Sequence, residues 1–365
     1  MISLLQLAKN NKFFSAKVTK ASILIAMLSC TLANAQTAGY NNAYQQYYQQ
    51  QSGYYQYNND AKQNPNYTTP YQYNSSNNPE APNASFDRKN IRTSYGKALG
   101  LRNKDSLALK SSVALVIDQD NNRVLYEKNT HAVLPIASIT KVMTSLVVMD
   151  AKLPLDEILT VTEEDVDYQK NTSSRLKVGQ RLTRQEMLLL ALMSSENRAA
   201  SALGRYYPGG KPSFIAAMNR KAKSLGMNDT RYVDSSGLSS QNVSSAYDLG
   251  RVVYAASQYP LIKSFSTNIS YNILGINSQP LIFKNTNRLV RAGNWEIGMQ
   301  KTGYISEAGK CLVMQAKVLG HSIIMVFLDS SGSADRFNDA LRIKAWLESG
   351  FNTQNANNKN SKTSS

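Results

Sequence analysis

Cysteine is nearly absent: Cys30 and Cys311 are the only two in 365 residues. Cleavage of an exported precursor after Ala35 leaves Cys311 alone, and one thiol cannot close an internal disulfide. The fold must then stand on packing. Cys311 falls in the β-like run Cys311-Leu312-Val313-Met314, which suits a buried, inert thiol better than a nucleophile. Histidine is as scarce, with His131 and His321 alone. Neither has a catalytic-looking context, which disfavours a Ser-His-Asp triad and a histidine-rich metal site; both are expected to be structural or exposed. No metal and no cofactor is expected. Long apolar runs are missing too. The stretch Ala21–Leu32 is shorter than the ~20 residues a membrane span requires.

That stretch follows Lys9, Lys12, Lys17 and Lys20 and precedes Ala33-Asn34-Ala35, the layout of a cleavable secretory signal over residues 1–35. An uncleaved anchor is a weaker reading, and so is lipidation of Cys30, because Met27-Leu28-Ser29 fits that poorly. Export without a stable transmembrane anchor is expected. The formal charge of +16 becomes +12 once the four leader lysines are removed. The basic residues are scattered, with no basic stripe interleaved with aromatics, so nucleic acid is not an expected partner. A polymer carrying free carboxylates, such as cell-wall peptide, suits the charge and the export route.

Residues 36–89 are rich in Tyr, Gln and Asn, as in Tyr44-Gln45-Gln46-Tyr47-Tyr48, and have too few aliphatic side chains to offset chain entropy. They are expected to be disordered, as is the polar tail 352–365. The globular domain is placed at 90–351. It opens with a hairpin through Val113–Ile117, the turn Asp120-Asn121-Asn122 and Val124–Tyr126. An apolar helix is expected over Ser138–Asp150. Thr183-Arg184-Gln185-Glu186 has capping-box form before the unbroken apolar run Met187–Met193, the mark of a buried helix. Helices over Lys211–Leu225 and Ser245–Ser257 follow. Strands are then expected at Leu281–Phe283, Ile297–Met299, Cys311–Lys317 and Ser322–Leu328, and a last helix at Arg336–Ser349 capped by Gly350. This order predicts an α/β fold of the α+β kind: an antiparallel sheet flanked by helices, with an inserted all-helical subdomain.

Three motifs carry chemistry. Ser138-Ile139-Thr140-Lys141 is S-x-x-K, Ser195-Glu196-Asn197 is S-x-N, and Lys301-Thr302-Gly303 is K-T-G. Each is weak alone; Ser138 could cap a helix and Lys301 could guard a sheet edge. Together, in this order, they match the set used by penicillin-binding proteins and class A β-lactamases. A serine hydroxyl needs a neighbouring base. Positions i and i+3 of a helix share a face, which puts Lys141 beside Ser138. To accept a proton Lys141 must be uncharged, and burial together with a second cation, Lys301, would lower its pKa. Ser195 can relay the proton to a leaving amine. Asn197 can pair with a substrate peptide bond, Lys301 and Thr302 can bind a substrate carboxylate, and Gly303 leaves the strand bare where substrate lies.

On these residues the chain resembles the serine DD-peptidases, family S11, of the low-molecular-mass penicillin-binding proteins, and above all the D-alanyl-D-alanine endopeptidases of the 7/8 type. The likeness spans Ser111 to Gly350 and extends to Pro135-Ile136-Ala137, Leu192-Met193-Ser194, Gly237–Val243 and Met299–Tyr304. It implies a β-lactamase/DD-peptidase-like fold, acylation of Ser138 by a D-Ala carbonyl, and an oxyanion hole from the backbone amides of Ser138 and Tyr304. It also implies a periplasmic enzyme acting on peptidoglycan cross-links, with β-lactams as covalent inhibitors. Between Asn197 and Lys301 the only glutamate is Glu296, which disfavours a β-lactamase. A D-Ala-D-Ala carboxypeptidase remains the alternative. A non-catalytic wall-binding protein using the Tyr-rich segment is a further one.

Overall fold

The computed structural model describes residues 94–362. The expected leader 1–35 and the Tyr-rich segment 36–89 lie outside them. Five antiparallel strands form the central sheet: β1 (Ser111–Asp118), β2 (Arg123–Lys128), β3 (Ile297–Ile305), β4 (Gly309–Val318) and β5 (His321–Ser330), in the order β2-β1-β5-β4-β3. The order matters because it leaves β3, the strand of the K-T-G motif, at an edge.

Every residue of β1 is buried, since both faces of the sheet are covered. Against one face lies α7 (Asp335–Lys362). Its Phe337, Ala340, Ile343 and Leu347 recur at helical spacing and meet Ala114, Val116, Leu312, Met314, Met325 and Phe327. Each large apolar side chain so buried contributes about 1.5–3 kcal/mol. Against the other lies α5 (Ala246–Ser257). A Cβ at its Gly250 would stand 3.1 Å from Ile117 Cδ1, so the missing side chain sets how closely this helix approaches β1.

The helical subdomain enters between β2 and β3. It comprises α1 (Thr140–Ala151), α2 (Arg184–Met193), α3 (Asn197–Arg205) and α4 (Gly210–Ser224), with α6 (Pro260–Thr267) following α5. The α2 capping box forms as expected: Thr183 N–H donates to Glu186 Oε2 at 2.8 Å, and Glu186 N–H donates to Thr183 Oγ1 at 3.1 Å. Residues Met187 to Met193 are all buried.

Some expectations differ from the structure. The expected strand Leu281–Phe283 is real, as Pro280–Lys284, but pairs with Ser270–Leu274 in a separate two-stranded ladder. Helix α6 was not foreseen, although Pro260 at its first turn is a helix-start signal. The last helix does not end at Gly350. It continues to Lys362, into the segment expected to be a disordered tail. Gly350 is not among the positive-φ glycines, so it takes ordinary helical torsions instead of the left-handed cap, and no proline follows to stop the helix.

Candidate active site

Ser138 sits in a 3₁₀ turn, Ala137–Ile139, that runs directly into α1. Lys141 is the second residue of that helix, one turn on, and is fully buried. Its Nζ has three close neighbours: Ser138 Oγ at 2.9 Å, Asn197 Oδ1 at 2.7 Å and the Ser236 carbonyl at 2.5 Å. Two of these are carbonyl oxygens that can only accept. A neutral amine has two N–H donors and one lone pair. Giving both hydrogens to Asn197 and Ser236 leaves the lone pair facing the Ser138 hydroxyl, the one neighbour able to donate. Burial supplies the protonation state, lowering the Lys141 pKa to about 7 against the raising effect of Asp234 and Glu196. The second-cation contribution expected for Lys141 appears elsewhere: the charge of Lys141 acts on Lys301, whose pKa is lowered well below the usual value first by burial.

Lys301 is also fully buried. Its Nζ donates to Ser195 Oγ at 2.9 Å and to the Thr302 carbonyl at 2.7 Å. Ser195 lies in the break between α2 and α3 with φ of +63°, a conformation that costs a non-glycine residue free energy and often occurs at reactive sites. The three motifs therefore meet as two lysine–serine pairs, Lys141 with Ser138 and Lys301 with Ser195.

Asn197 begins α3. Its Oδ1 is engaged by Lys141, and its Nδ2 donates to Thr172 Oγ1 at 3.1 Å. One N–H of the amide remains for a substrate carbonyl. Thr302 is 4 % exposed and shares a 2.6 Å hydroxyl contact with Thr286. Gly303 does more than leave room for substrate. A Cβ there would lie 2.9 Å from the Ile136 carbonyl and 3.2 Å from Ser138 N, so its bareness lets β3 press against the Ser138 turn. The same spacing puts the neighbouring Tyr304 backbone close to that turn. The Tyr304 ring is exposed, with Lys310 Nζ 3.0 Å from its centroid.

The loop after α4, which carries the Gly237–Val243 part of the resemblance, builds one wall of the site. Asp234 Oδ1 accepts from the backbone N–H groups of Ser236 and Gly237, at 2.6 and 2.5 Å, and Oδ2 accepts from Ser239 N–H at 2.9 Å. This turn aims the Ser236 carbonyl at Lys141. It also brings Gly237 onto the Ser138 turn: with φ of +84°, an added Cβ would lie 1.9 Å from the Ala137 carbonyl. Asn242 ties the loop to α1 by donating to Thr140 Oγ1 at 3.0 Å. Asp-Ser-Ser-Gly is readable as turn chemistry, but a backbone carbonyl acting as a partner leaves no side-chain signal. Arg336, which carries no motif, pins the K-T-G strand: its Nη1 donates to the Gly303 carbonyl at 2.8 Å and the Cys311 carbonyl at 3.2 Å.

Cys311 is buried as expected, and burial pushes its thiol up to about 12. His131 is exposed and packs by Tyr247, with ring centroids 5.1 Å apart. His321 lies 3.7 Å from Asp118.

A sequence profile described as D-alanyl-D-alanine carboxypeptidase, Peptidase S11, matches residues 101–332. The chain belongs to that family. It is an S11 peptidase, a hydrolase of the serine type with the DD-peptidase fold. The D-alanyl-D-alanine endopeptidase of Pseudomonas aeruginosa is 48 % identical over 243 residues, covering 66 % of this chain and 78 % of that protein. Among solved structures, the Streptomyces K15 DD-transpeptidase superposes with a TM-score of 0.61 at 26 % identity, covering 67 % of this chain and 98 % of that one. Penicillin-binding protein D2 from Listeria monocytogenes in its ampicillin-bound form gives 0.57 at 29 % identity, covering 68 % and 99 %. No described helix of this S11 peptidase is long and apolar enough to cross a membrane.

Proposed function

We propose that this S11 peptidase is an exported, periplasmic D-alanyl-D-alanine endopeptidase that hydrolyses peptidoglycan cross-links through an acyl-enzyme on Ser138. The observation that carries the reading is the fully buried Lys141 amine, 2.9 Å from Ser138 Oγ and held by Asn197 Oδ1 and the Ser236 carbonyl, an arrangement that in the neutral form leaves its lone pair for Ser138. In the mechanism, Ser138 Oγ attacks the D-Ala carbonyl carbon while its proton passes to Lys141. The backbone N–H groups of Ser138 and Tyr304 receive the developing oxyanion. The tetrahedral intermediate collapses, the C–N bond breaks, and the leaving side-chain amine of the cross-linked diamino acid takes the proton that Lys141 accepted, relayed through the Ser195 hydroxyl that Lys301 holds. Water then attacks the ester, Lys141, neutral again, takes its proton and passes it to Ser138 Oγ as the ester bond breaks, which restores the free hydroxyl. Asn197 holds the donor peptide, and Lys301 and Thr302 bind a substrate carboxylate.

Endopeptidase is preferred to carboxypeptidase because the Pseudomonas aeruginosa relative named for that activity is 48 % identical, whereas a Bacillus subtilis relative named carboxypeptidase is 30 % identical. β-Lactams should acylate the same serine, as the ampicillin-bound relative suggests. Labelled penicillin should form an adduct with wild type and none with Ser138→Ala; an adduct surviving on the alanine variant would remove Ser138 from its role. Chromatography of digested cross-linked muropeptide dimers should show monomers. Release of D-Ala from pentapeptide with the dimers intact would replace the endopeptidase by the carboxypeptidase reading.

A further inference from the structure

A cavity of about 550 Å³ adjoins the reactive centre. Segment 164–169, helices α3 and α4, and loop 233–241 form its walls. It meets the centre at Asn197 and Ser236, the two groups that fix Lys141 at 2.7 and 2.5 Å. Ser195 and Lys301, which face the leaving amine in the proposed mechanism, do not line it. Ser138 does not line it either; the connection runs through Asn197, which holds the donor peptide in the proposed mechanism, and so the cavity lies on the acyl-donor side.

Its lining has two characters. Phe214, Ile215, Val233 and Leu238 supply apolar surface, while Glu164, Asp165, Asp167 and Asp234 supply carboxylates against the single basic side chain of Lys211. In a chain with 41 basic and 25 acidic residues, this local sign is reversed. Asp165 is offset by Arg205 at 2.7 Å. Asp167 and Asp234 are instead held by backbone N–H and hydroxyl donors, which fix their positions without cancelling their charge. Apolar walls ending in fixed carboxylates suit a methylene chain that ends in a cation.

We infer that this cavity is a specificity subsite for the donor strand, taking the ammonium-bearing side chain of the diamino acid that precedes the D-Ala attacked by Ser138. The inference rests on the endopeptidase reading. It makes the free side-chain ammonium of the donor a recognition element, and masking that amine removes the attraction while leaving the scissile bond unaltered.

The test uses two synthetic cross-linked dimers, identical except that the donor side-chain amine is free in one and acetylated in the other. For the wild-type chain, kcat/KM should be about tenfold higher for the free-amine dimer, the scale of one charge-assisted contact. In Glu164→Lys, and separately in Asp167→Asn, that ratio should fall toward one. Both substrates are compared on one protein sample, so any loss of folded enzyme cancels from the ratio. Equal wild-type rates on the two dimers would overturn the subsite while leaving the endopeptidase reading intact. A wild-type preference unchanged in both variants would also overturn it, by placing ammonium recognition outside this cavity. Cleavage of neither dimer by wild type that still forms the penicillin adduct would overturn the endopeptidase reading and the subsite with it.

Discussion

Replacing Lys141 with methionine separates what this residue does for chemistry from what it does to the fold. Burial takes its pKa from 10.5 to about 7, and at 1.36 kcal/mol per unit this represents about 5 kcal/mol of folding free energy given up at low pH. Methionine fills a similar volume without that penalty, but leaves Asn197 Oδ1 and the Ser236 carbonyl without their donor, at about 1–3 kcal/mol each. The sign with pH follows from proton counting. Between 7 and 10.5 the unfolded chain binds one more proton at this site than the folded chain, so wild-type stability rises relative to the variant by up to about 1.4 kcal/mol per pH unit. Below 7 both states are protonated and the difference is constant; above 10.5 neither is. At pH 6 the relief of about 5 kcal/mol is set against about 2–6 kcal/mol for the two acceptors, so Lys141→Met should lie within about 3 kcal/mol of wild type there and be less stable by about 2–6 kcal/mol near pH 10.5. Urea unfolding at pH 6, 8 and 10 measures this, and penicillin acylation should be lost throughout. A stability difference that does not change between pH 7 and 10 would refute the neutral, buried base. In wild type, the acylation rate should rise with pH through about 7 and then level off.

The remaining predictions concern the surroundings. Gly237→Ala combines a positive φ with a Cβ 1.9 Å from the Ala137 carbonyl; it should cost ~3 kcal/mol or more in denaturant unfolding and slow acylation through the displaced turn. Ser195→Ala removes the hydroxyl on Lys301 and should slow single-turnover cleavage of dimers by about a hundredfold, with undiminished cleavage excluding it from proton delivery. Thr183→Ala breaks the capping box of α2 and should cost ~1 kcal/mol in thermal unfolding while acylation stays at the wild-type rate. Cys311, wholly buried, should resist alkylation by iodoacetamide until the protein unfolds; labelling of the native chain at pH 8 would contradict its placement.

Legibility in the sequence followed the range of the interaction. Ser138 and Lys141 are one helical turn apart, so their contact was readable from spacing alone, and so was the box of Thr183 and Glu186. The buried run Met187–Met193 and the strands β4 and β5 could be read from hydrophobic pattern. The three motifs could be ordered and assigned roles because each residue type has a narrow chemical use. Less legible were elements whose signals are weak or shared. Helix α6 is short and its Pro260 serves turns as readily as helix starts, and the end of α7 is ambiguous because glycine is compatible with a helix interior as well as with a cap.

Folding alone settled which groups surround Lys141. The Ser236 carbonyl lies 95 positions away and carries no side-chain mark. Gly237 and Gly303, on different elements, are recognisable as close-approach glycines only once their neighbours at Ile136, Ala137 and Ser138 are in place. The charge of an amine is likewise no property of its letter in the chain, because it depends on how much water the assembled walls exclude. Spacing along one helix determined that a lysine would stand beside this serine, since local geometry is set by the backbone; long-range packing decided that the lysine would be uncharged, since desolvation belongs to the whole fold.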